Sequence, residues 1–387
     1  MSAPRCYLDY NATAPLRAGA RMAVVAALAS TGNPSSIHGE GREARRLIET
    51  ARRQVAALVG AAAEQVVFTS GATEAANLAL SPALSGPSAR HGTRRLLVSA
   101  TEHAAIHQGH RFPTEAVTVL PVGTDGVLDL DALAAALGAD AGCPVLVALQ
   151  AANNETGVVQ PLRKAADLVH AAGGLLICDA VQMAGRLPFG LMASGADVVL
   201  LSSHKLGGPQ GAGALVLAGG VALGPALLRG GGQERGFRSG TENVAALAGF
   251  GTAAAEVMSL ETERLVALRD RLETGLARLS DEAVVFGGAA LRLPNTTCFA
   301  VPGTAAETLL IALDLAGVAV SSGSACSSGK VARSHVLDAM GGPAALAGGA
   351  LRVSTGWAST EAEVDRFLEA FADALRRMRR QPLPAAA

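Results

Sequence analysis

GLLICDAVQMAGRLPFGLMASGADVVLLSSHK, residues 174–205, carries the pattern that sets the architecture. It holds two short apolar runs, Leu175-Leu176-Ile177-Cys178 and Val198-Val199-Leu200-Leu201, and each run passes directly into polar residues. Runs of this length, bounded by turn residues and rich in branched side chains, read as strands buried on both faces. Working outward, Gln65–Thr69, Arg95–Ser99, Ala116–Leu120 and Val145–Leu149 repeat the pattern. Helical periodicity between strands, as in Asp129–Leu137 and Leu162–Ala172, implies an α/β fold with a mostly parallel sheet covered on both sides.

Farther along, Thr241 to about Leu279 reads as one long helix, and strand candidates thin out to 295–301 and 351–354. Thr360 and Glu363 form a capping box ahead of an apolar stripe of Val364, Phe367, Leu368, Phe371 and Leu375. The expected organisation is a large domain at 17–255 with the central sheet and a smaller α+β domain at 256–387. The segment 1–16 is expected to pack with the small domain.

Half of the 387 residues are apolar, which excludes disorder for most of the chain. A formal net charge of -1 gives no basic field for a nucleic acid or a membrane surface. The run Arg376-Arg377-Met378-Arg379-Arg380 reads as a solvated helix end, and the uncharged stretch 206–228 as loop, strand and loop. Cys6, Cys143, Cys178, Cys298 and Cys326 show no CxxC spacing, and the N-terminus has no apolar targeting run, so a reduced, cytoplasmic setting is expected.

Only three of the 32 basic residues are lysine: Lys164, Lys205 and Lys330. Arginine does not lose its proton in a protein, so a lysine kept against this bias is a candidate nucleophile. Lys205 follows the strand 198–201 at its carboxyl end, where open α/β sheets place their ligand crevice. A lysine reaching solvent is the alternative from position alone. Asp179 ends the preceding strand in the same way, and a strand-end lysine and carboxylate together suit pyridoxal phosphate, which needs an amine for its aldehyde and an acid for its ring nitrogen. Capping of the next helix would also explain Asp179.

Ser70-Gly71-Ala72-Thr73-Glu74, between strand and helix, supplies a candidate phosphate cradle, and Ser202 and His204 flank the lysine. His103, His107 and His110 could share a helix face, but without an HExxH order or a fourth ligand a zinc site is not expected. His103 is expected to face the crevice, with the other two on the surface. Asn153–Gly157 reads as a turn rich in hydrogen-bonding side chains. Ser321–Lys330 is ten small or polar residues around Cys326, so 321–333 reads as a mobile loop carrying the one thiol placed to react.

These residues resemble the cysteine desulfurases of the nitrogen-fixation and iron-sulfur-cluster type (NifS/IscS), which are fold type I pyridoxal phosphate enzymes. The resemblance rests on LDYNATAP (8–15), GNPSSIHGEG (32–41), TSGATEAAN (69–77), TEH (101–103), NNETG (153–157), DAVQ (179–182), SSHK (202–205), RGGGQERGFRSGTEN (229–243), LPNT (293–296) and SSGSACSSG (321–329). It implies that Lys205 carries the cofactor covalently, Asp179 pairs with the pyridine nitrogen, Gln182 bonds the ring oxygen and His103 stacks on the ring. Ala72, Thr73, Ser202 and His204 would hold the phosphate, with Thr241 supplied by the other subunit of a homodimer. Asn154 and Arg352 would receive the substrate carboxylate, and Cys326 would take sulfur from L-cysteine as a persulfide, leaving L-alanine.

The implied partners are an iron-sulfur scaffold or another sulfur acceptor, with no resident metal beyond a transient iron-sulfur ligand role for Cys326. Gln210 departs from the pattern, standing where these proteins usually carry lysine. The alternatives are a selenocysteine lyase or a class V aminotransferase, which would share Lys205 and Asp179. A non-catalytic assembly subunit would be expected to lose Lys205 or Cys326, and a Cys-His hydrolase would leave Lys205 and Asp179 unexplained.

Overall fold

A computed structural model describes residues 5–139, 142–258, 262–322 and 333–380. Cys326 and most of the 321–333 segment lie outside the described residues. Seven strands form the central sheet in the spatial order Val66–Thr69, Gly213–Leu217, Val198–Ser202, Leu175–Asp179, Val145–Gln150, Arg95–Ser99, Val117–Leu120. Gly213–Leu217 runs antiparallel to both neighbours, and every other pairing is parallel.

Side-chain alternation explains why these runs are apolar throughout. Leu146, Ala148, Ile177, Val198 and Leu200 join the core on one face of the sheet. Val147, Leu149, Leu176, Cys178, Val199 and Leu201 join the core on the other. With helices over both faces, no central position of these inner strands reaches water, whereas the edge strand Val117–Leu120 leaves Val119 exposed.

A second sheet is antiparallel, in the order Ser321–Ser322, Leu351–Ser354, Thr296–Ala300, Val284–Val285. Its core gathers Leu265, Leu268, Leu272 and Leu276 from the helix Thr262–Leu279 with Val364, Phe367, Phe371 and Leu375 from Glu361–Arg380. The Thr360/Glu363 capping box is formed: the Glu363 carboxylate accepts from Thr360 N–H at 2.9 Å, and the Thr360 hydroxyl accepts from Glu363 N–H at 3.3 Å. Cys6–Tyr7 pairs in parallel with Val318–Ala319, and Cys6 and Leu8 are buried in this same core.

The long helix expected over 241–279 is two helices, Val244–Glu256 and Thr262–Leu279. The physical reason is that they serve different cores. Phe250, Ala253 and Ala254 pack beside the seven-stranded sheet, whereas Leu265, Leu268 and Leu272 pack on the second sheet, and one straight rod cannot aim a single stripe at both.

Glu234 and Arg235 occupy the left-handed region, with φ of 46° and 57°. Glu234 is held there by two 2.7 Å bonds from the Arg52 guanidinium and by the Phe68 N–H at 2.8 Å. Removing one partner of a buried, bidentate pair strands the other charge. Arg52→Ala is therefore expected to lower unfolding free energy by about 3–5 kcal/mol in urea titration, and a loss below about 1 kcal/mol would show the pair to be dispensable.

Candidate active site

Parallel register brings the carboxyl ends of the central strands together, with Asp179 opposite Gln150 on one side and Leu200 on the other. Ser202 ends its strand, and the next three residues, Ser203–Lys205, make a single tight turn. A cavity of about 490 Å³ opens at this edge. It is lined by Ala72, Thr73, His103, Asn154, Asp179, Gln182, Ser202, His204, Lys205 and Arg352, together with Asn11, Ala12, Gln150 and Gln210.

One end of the cavity suits an anion. The helix Ala72–Ala79 starts at Gly71 with no side-chain cap, and the Glu74 carboxylate of its first turn accepts the Ser70 N–H at 2.8 Å, so the N–H groups of the first helical residues carry no side-chain partner. A Cβ on Gly213 would lie 2.5 Å from the Gly71 backbone, so the strand behind can press against this turn only as glycine. His204 Nδ1 lies 2.6 Å from the Thr13 hydroxyl. Burial, followed by the Lys205 and Arg186 charges, pushes the His204 pKa down to about 4, so the ring is neutral at ordinary pH.

The other end holds the acid and the amine. One Asp179 carboxylate oxygen accepts the Val181 N–H at 2.9 Å, so this residue both caps the following turn and lines the cavity. Burial raises its pKa, opposed by that N–H and by the His103 and Lys205 charges. Lys205 Nζ donates to the carbonyls of Asn11 at 2.6 Å and Ala12 at 2.7 Å. Gln182 Nε2 donates to the same Asn11 carbonyl at 3.1 Å, and its side-chain oxygen accepts from Arg186.

His103 caps the short helix Ala104–His107, its Nδ1 accepting the Ala105 N–H at 3.1 Å, which assigns any ring proton of the neutral form to Nε2. The surface placement expected for His107 and His110 is corrected. The His107 ring meets the His335 ring edge to face at 5.6 Å, and His107 Nε2 and His110 Nδ1 are both buried without a partner. The helix ends at His107 and the chain turns back at Gly109, where a Cβ would lie 2.2 Å from the Ala105 carbonyl, so His110 is not on the same helix. Among the described residues no group of three His, Cys, Asp or Glu side chains is placed to hold a metal ion.

Arg352 is 2% exposed and already paired: one Nη donates to Asp9 at 2.7 Å, the other to the Asn154 carbonyl at 3.2 Å, while its buried Nε–H has no partner. Asn153–Gly157 is a turn as expected, with the Asn153 side-chain oxygen accepting from Glu155 and Thr156 N–H at 2.9 Å each. Asn154, next to it, lines the cavity. Thr241 is exposed and is not among the residues lining this chain's own crevice.

Asn11, Asp9 and Glu102 carry roles that the motif reading left unassigned. Glu102 is fully buried; its Oε1 accepts the Gln150 N–H at 2.7 Å and its Oε2 has no partner. Burial holds its pKa well above the carboxylate range. Burial likewise pushes the Cys6 thiol to about 12 and raises those of Cys178 and Cys298, so none of these three is a ready thiolate.

Glu155 is 4% exposed, and its Oε2 accepts the Ser334 hydroxyl at 2.5 Å. Burial raises its pKa from 4.5 to about 7, against the Ser334 bond and the Arg352 and His103 charges. Because the folded pKa is the higher one, the stability it contributes is full below pH 4.5 and is lost as pH rises to about 7. Glu155→Gln is expected to flatten that part of the melting-temperature profile. An unchanged slope would mean that Glu155 is ionised throughout.

Residues 6–367 match the class-V aminotransferase family. The chain belongs to that family. Within it, the chain is similar to a cysteine desulfurase of Cereibacter sphaeroides, 44% identical over 371 residues and covering 94% of each chain. It is also similar to an IscS-like cysteine desulfurase of Mycobacterium tuberculosis, 40% identical over 98% of each chain. A NifS-like protein from Rickettsia africae has a similar solved structure, with a TM-score of 0.87 and 33% identity over 96% of this chain and 99% of that one. Family membership makes pyridoxal phosphate the cofactor, and the donor set fits it: an uncapped helix start, hydroxyls and a neutral imidazole for the phosphate, Asp179 for the ring nitrogen and Lys205 for the aldehyde.

Proposed function

We propose that this crevice converts L-cysteine to L-alanine and passes the sulfur to Cys326 as a persulfide, so that the chain is a cysteine desulfurase. One observation carries the reading: Asp179 and Lys205, from two adjacent strand ends, share a single cavity with the uncapped helix start at Ala72 and with Arg352. The similarity to cysteine desulfurases over nearly the whole chain supports the same activity.

When bound, pyridoxal phosphate supplies an electron sink and a covalent hold on the substrate amino group. Asp179 keeps a proton at the ring nitrogen, and His103 packs against the ring. Ala72, Thr73, Ser202 and His204 take the phosphate. The Lys205 amine would take the α-proton of the substrate. Arg352 and Asn154 orient the substrate carboxylate. The Cys326 thiolate forms an S–S bond to the substrate sulfur as the C–S bond breaks. That electron pair stays on the β-carbon, which takes a proton, and return of the α-proton from Lys205 completes alanine.

A homodimer is part of this proposal, with Thr241 of each subunit completing the other's phosphate site. Exposed Met22, Val25 and Leu28, at 66%, 62% and 71%, support it as an apolar face on the helix Ala18–Leu28. The acceptor is a scaffold or other sulfur-receiving protein, and the setting is the cytoplasm. Among the described residues no helix is long and apolar enough to cross a membrane. The two sheets with their separate cores support a division into 17–255 and 256–387, with 1–16 on the smaller part.

Parallel assays with L-cysteine, L-selenocysteine and an amino acid plus 2-oxo acid pair separate this reading from its alternatives. L-Cysteine is expected to give sulfide and alanine without amino transfer. Efficient amino transfer would make the chain an aminotransferase, and turnover of selenocysteine alone would make it a lyase. Arg352→Lys is expected to raise KM for cysteine about tenfold or more, since a point charge replaces a planar fork, while the cofactor spectrum changes little. Unchanged KM would place the carboxylate elsewhere.

A further inference from the structure

A second cavity, of about 80 Å³, shares Lys205 with the crevice and is also walled by Tyr10, Arg17, Arg186, Thr355 and Trp357. Arg186 is 8% exposed, yet its bonds run only to neutral acceptors. Nη1 donates to the Gln182 carbonyl at 2.7 Å and to the Gln182 side-chain oxygen, and Nη2 reaches the Tyr10 carbonyl at 3.5 Å. Among the described residues no carboxylate pairs with it. The charged neighbour that acts on it is another cation, Arg352, which already holds Asp9. Burial and Arg352 together lower the Arg186 pKa to about 9. A buried guanidinium without a counter-ion is costly, and an anion beside it offsets part of that cost.

Leu206, Val257 and Leu265 close the apolar side of the cavity, and its polar side points the same way as Arg186. The Arg17 guanidinium lies 3.9 Å from the Trp357 ring centroid, and the Glu256 carboxylate is a further 3.9 Å contact of that side chain. Tyr10 and Trp357 meet edge to face at 5.2 Å, and ring edges carry positive partial charge. The Thr355 hydroxyl is buried without a partner among the described residues, leaving a donor unused. Three cationic side chains, two aromatic rings and a hydroxyl border a space large enough for one small ion and its water.

We propose that this cavity binds a small inorganic anion of chloride size, with Arg186 as its principal partner. Because Lys205 borders the same space, a bound anion also favours the protonated state of the Lys205 nitrogen. The competing explanation is that anionic groups in the crevice itself balance Arg186 through Gln182.

Holoenzyme crystals grown without halide and soaked in bromide test the proposal. An anomalous peak is expected beside the Arg186 guanidinium, absent in Arg186→Leu. In solution, chloride at fixed ionic strength is expected to raise the holoenzyme melting temperature by about 1–2 °C over gluconate. It is also expected to move the pH midpoint of the cofactor absorbance upward. Ordered water alone in the cavity would overturn the proposal, as would a bromide peak that survives in Arg186→Leu, or a melting temperature indifferent to halide. Should Arg186→Leu not fold, the wild-type peak and halide series decide between the two explanations.

Discussion

Lys205→Ala is expected to abolish the borohydride-reducible attachment of pyridoxal phosphate and to lower kcat for L-cysteine by about 10⁴- to 10⁶-fold. The expectation follows from position and from chemistry. Among the described residues Lys205 is the lysine that lines the crevice, with Nζ on the Asn11 and Ala12 carbonyls, and it lies in one cavity with Asp179. An alanine there removes both the covalent hold on the cofactor and the base for the α-proton, two losses that act on the same step and so do not simply add. The phosphate donors are untouched, so non-covalent cofactor binding should survive. A covalent link that persisted would move the attachment to Lys164 or Lys330 and remove the basis of the site.

Cys326→Ser is expected to release no measurable sulfide while binding L-cysteine normally, seen as an unchanged substrate-induced spectral shift. A hydroxyl is a far poorer nucleophile toward sulfur than a thiolate. The other cysteines offer no substitute: Cys6, Cys178 and Cys298 are buried, and burial holds their thiols protonated. Cys143 is half-buried in the turn that precedes the strand Val145–Gln150. Mapping a persulfide to any of these four by mass spectrometry would overturn the assignment to Cys326.

The strand ends were legible because burial on both faces writes an uninterrupted apolar run, and the first polar residue after it marks the sheet edge. Asp179 and Ser202 are of that kind, His204 and Lys205 follow Ser202 in the next turn, and the structure places all four in one cavity. What a linear pattern does not contain is the partner from elsewhere in the chain. Asn11 accepts from Lys205 and Gln182 and donates to Thr296 at 2.9 Å, yet in the sequence it is one polar residue in a short N-terminal segment. Asp9, which holds Arg352 across 343 positions, gives no local signal either. The three-histidine pattern failed for a related reason: His110, at i+7, shares the face only if the helix continues, and the helix ends at His107. Gly39–Leu58 buries a narrow stripe of Ile48, Ala51 and Val55 between charged residues, a pattern carried largely by alanine and therefore faint.

The yield of sulfide and alanine from a single incubation of the purified protein with L-cysteine and a thiol reductant tests whether the crevice is that of a cysteine desulfurase. Equal molar amounts of the two are expected, because each sulfur taken by Cys326 leaves one alanine behind. Alanine without sulfide, or pyruvate and ammonia in place of alanine, would contradict it.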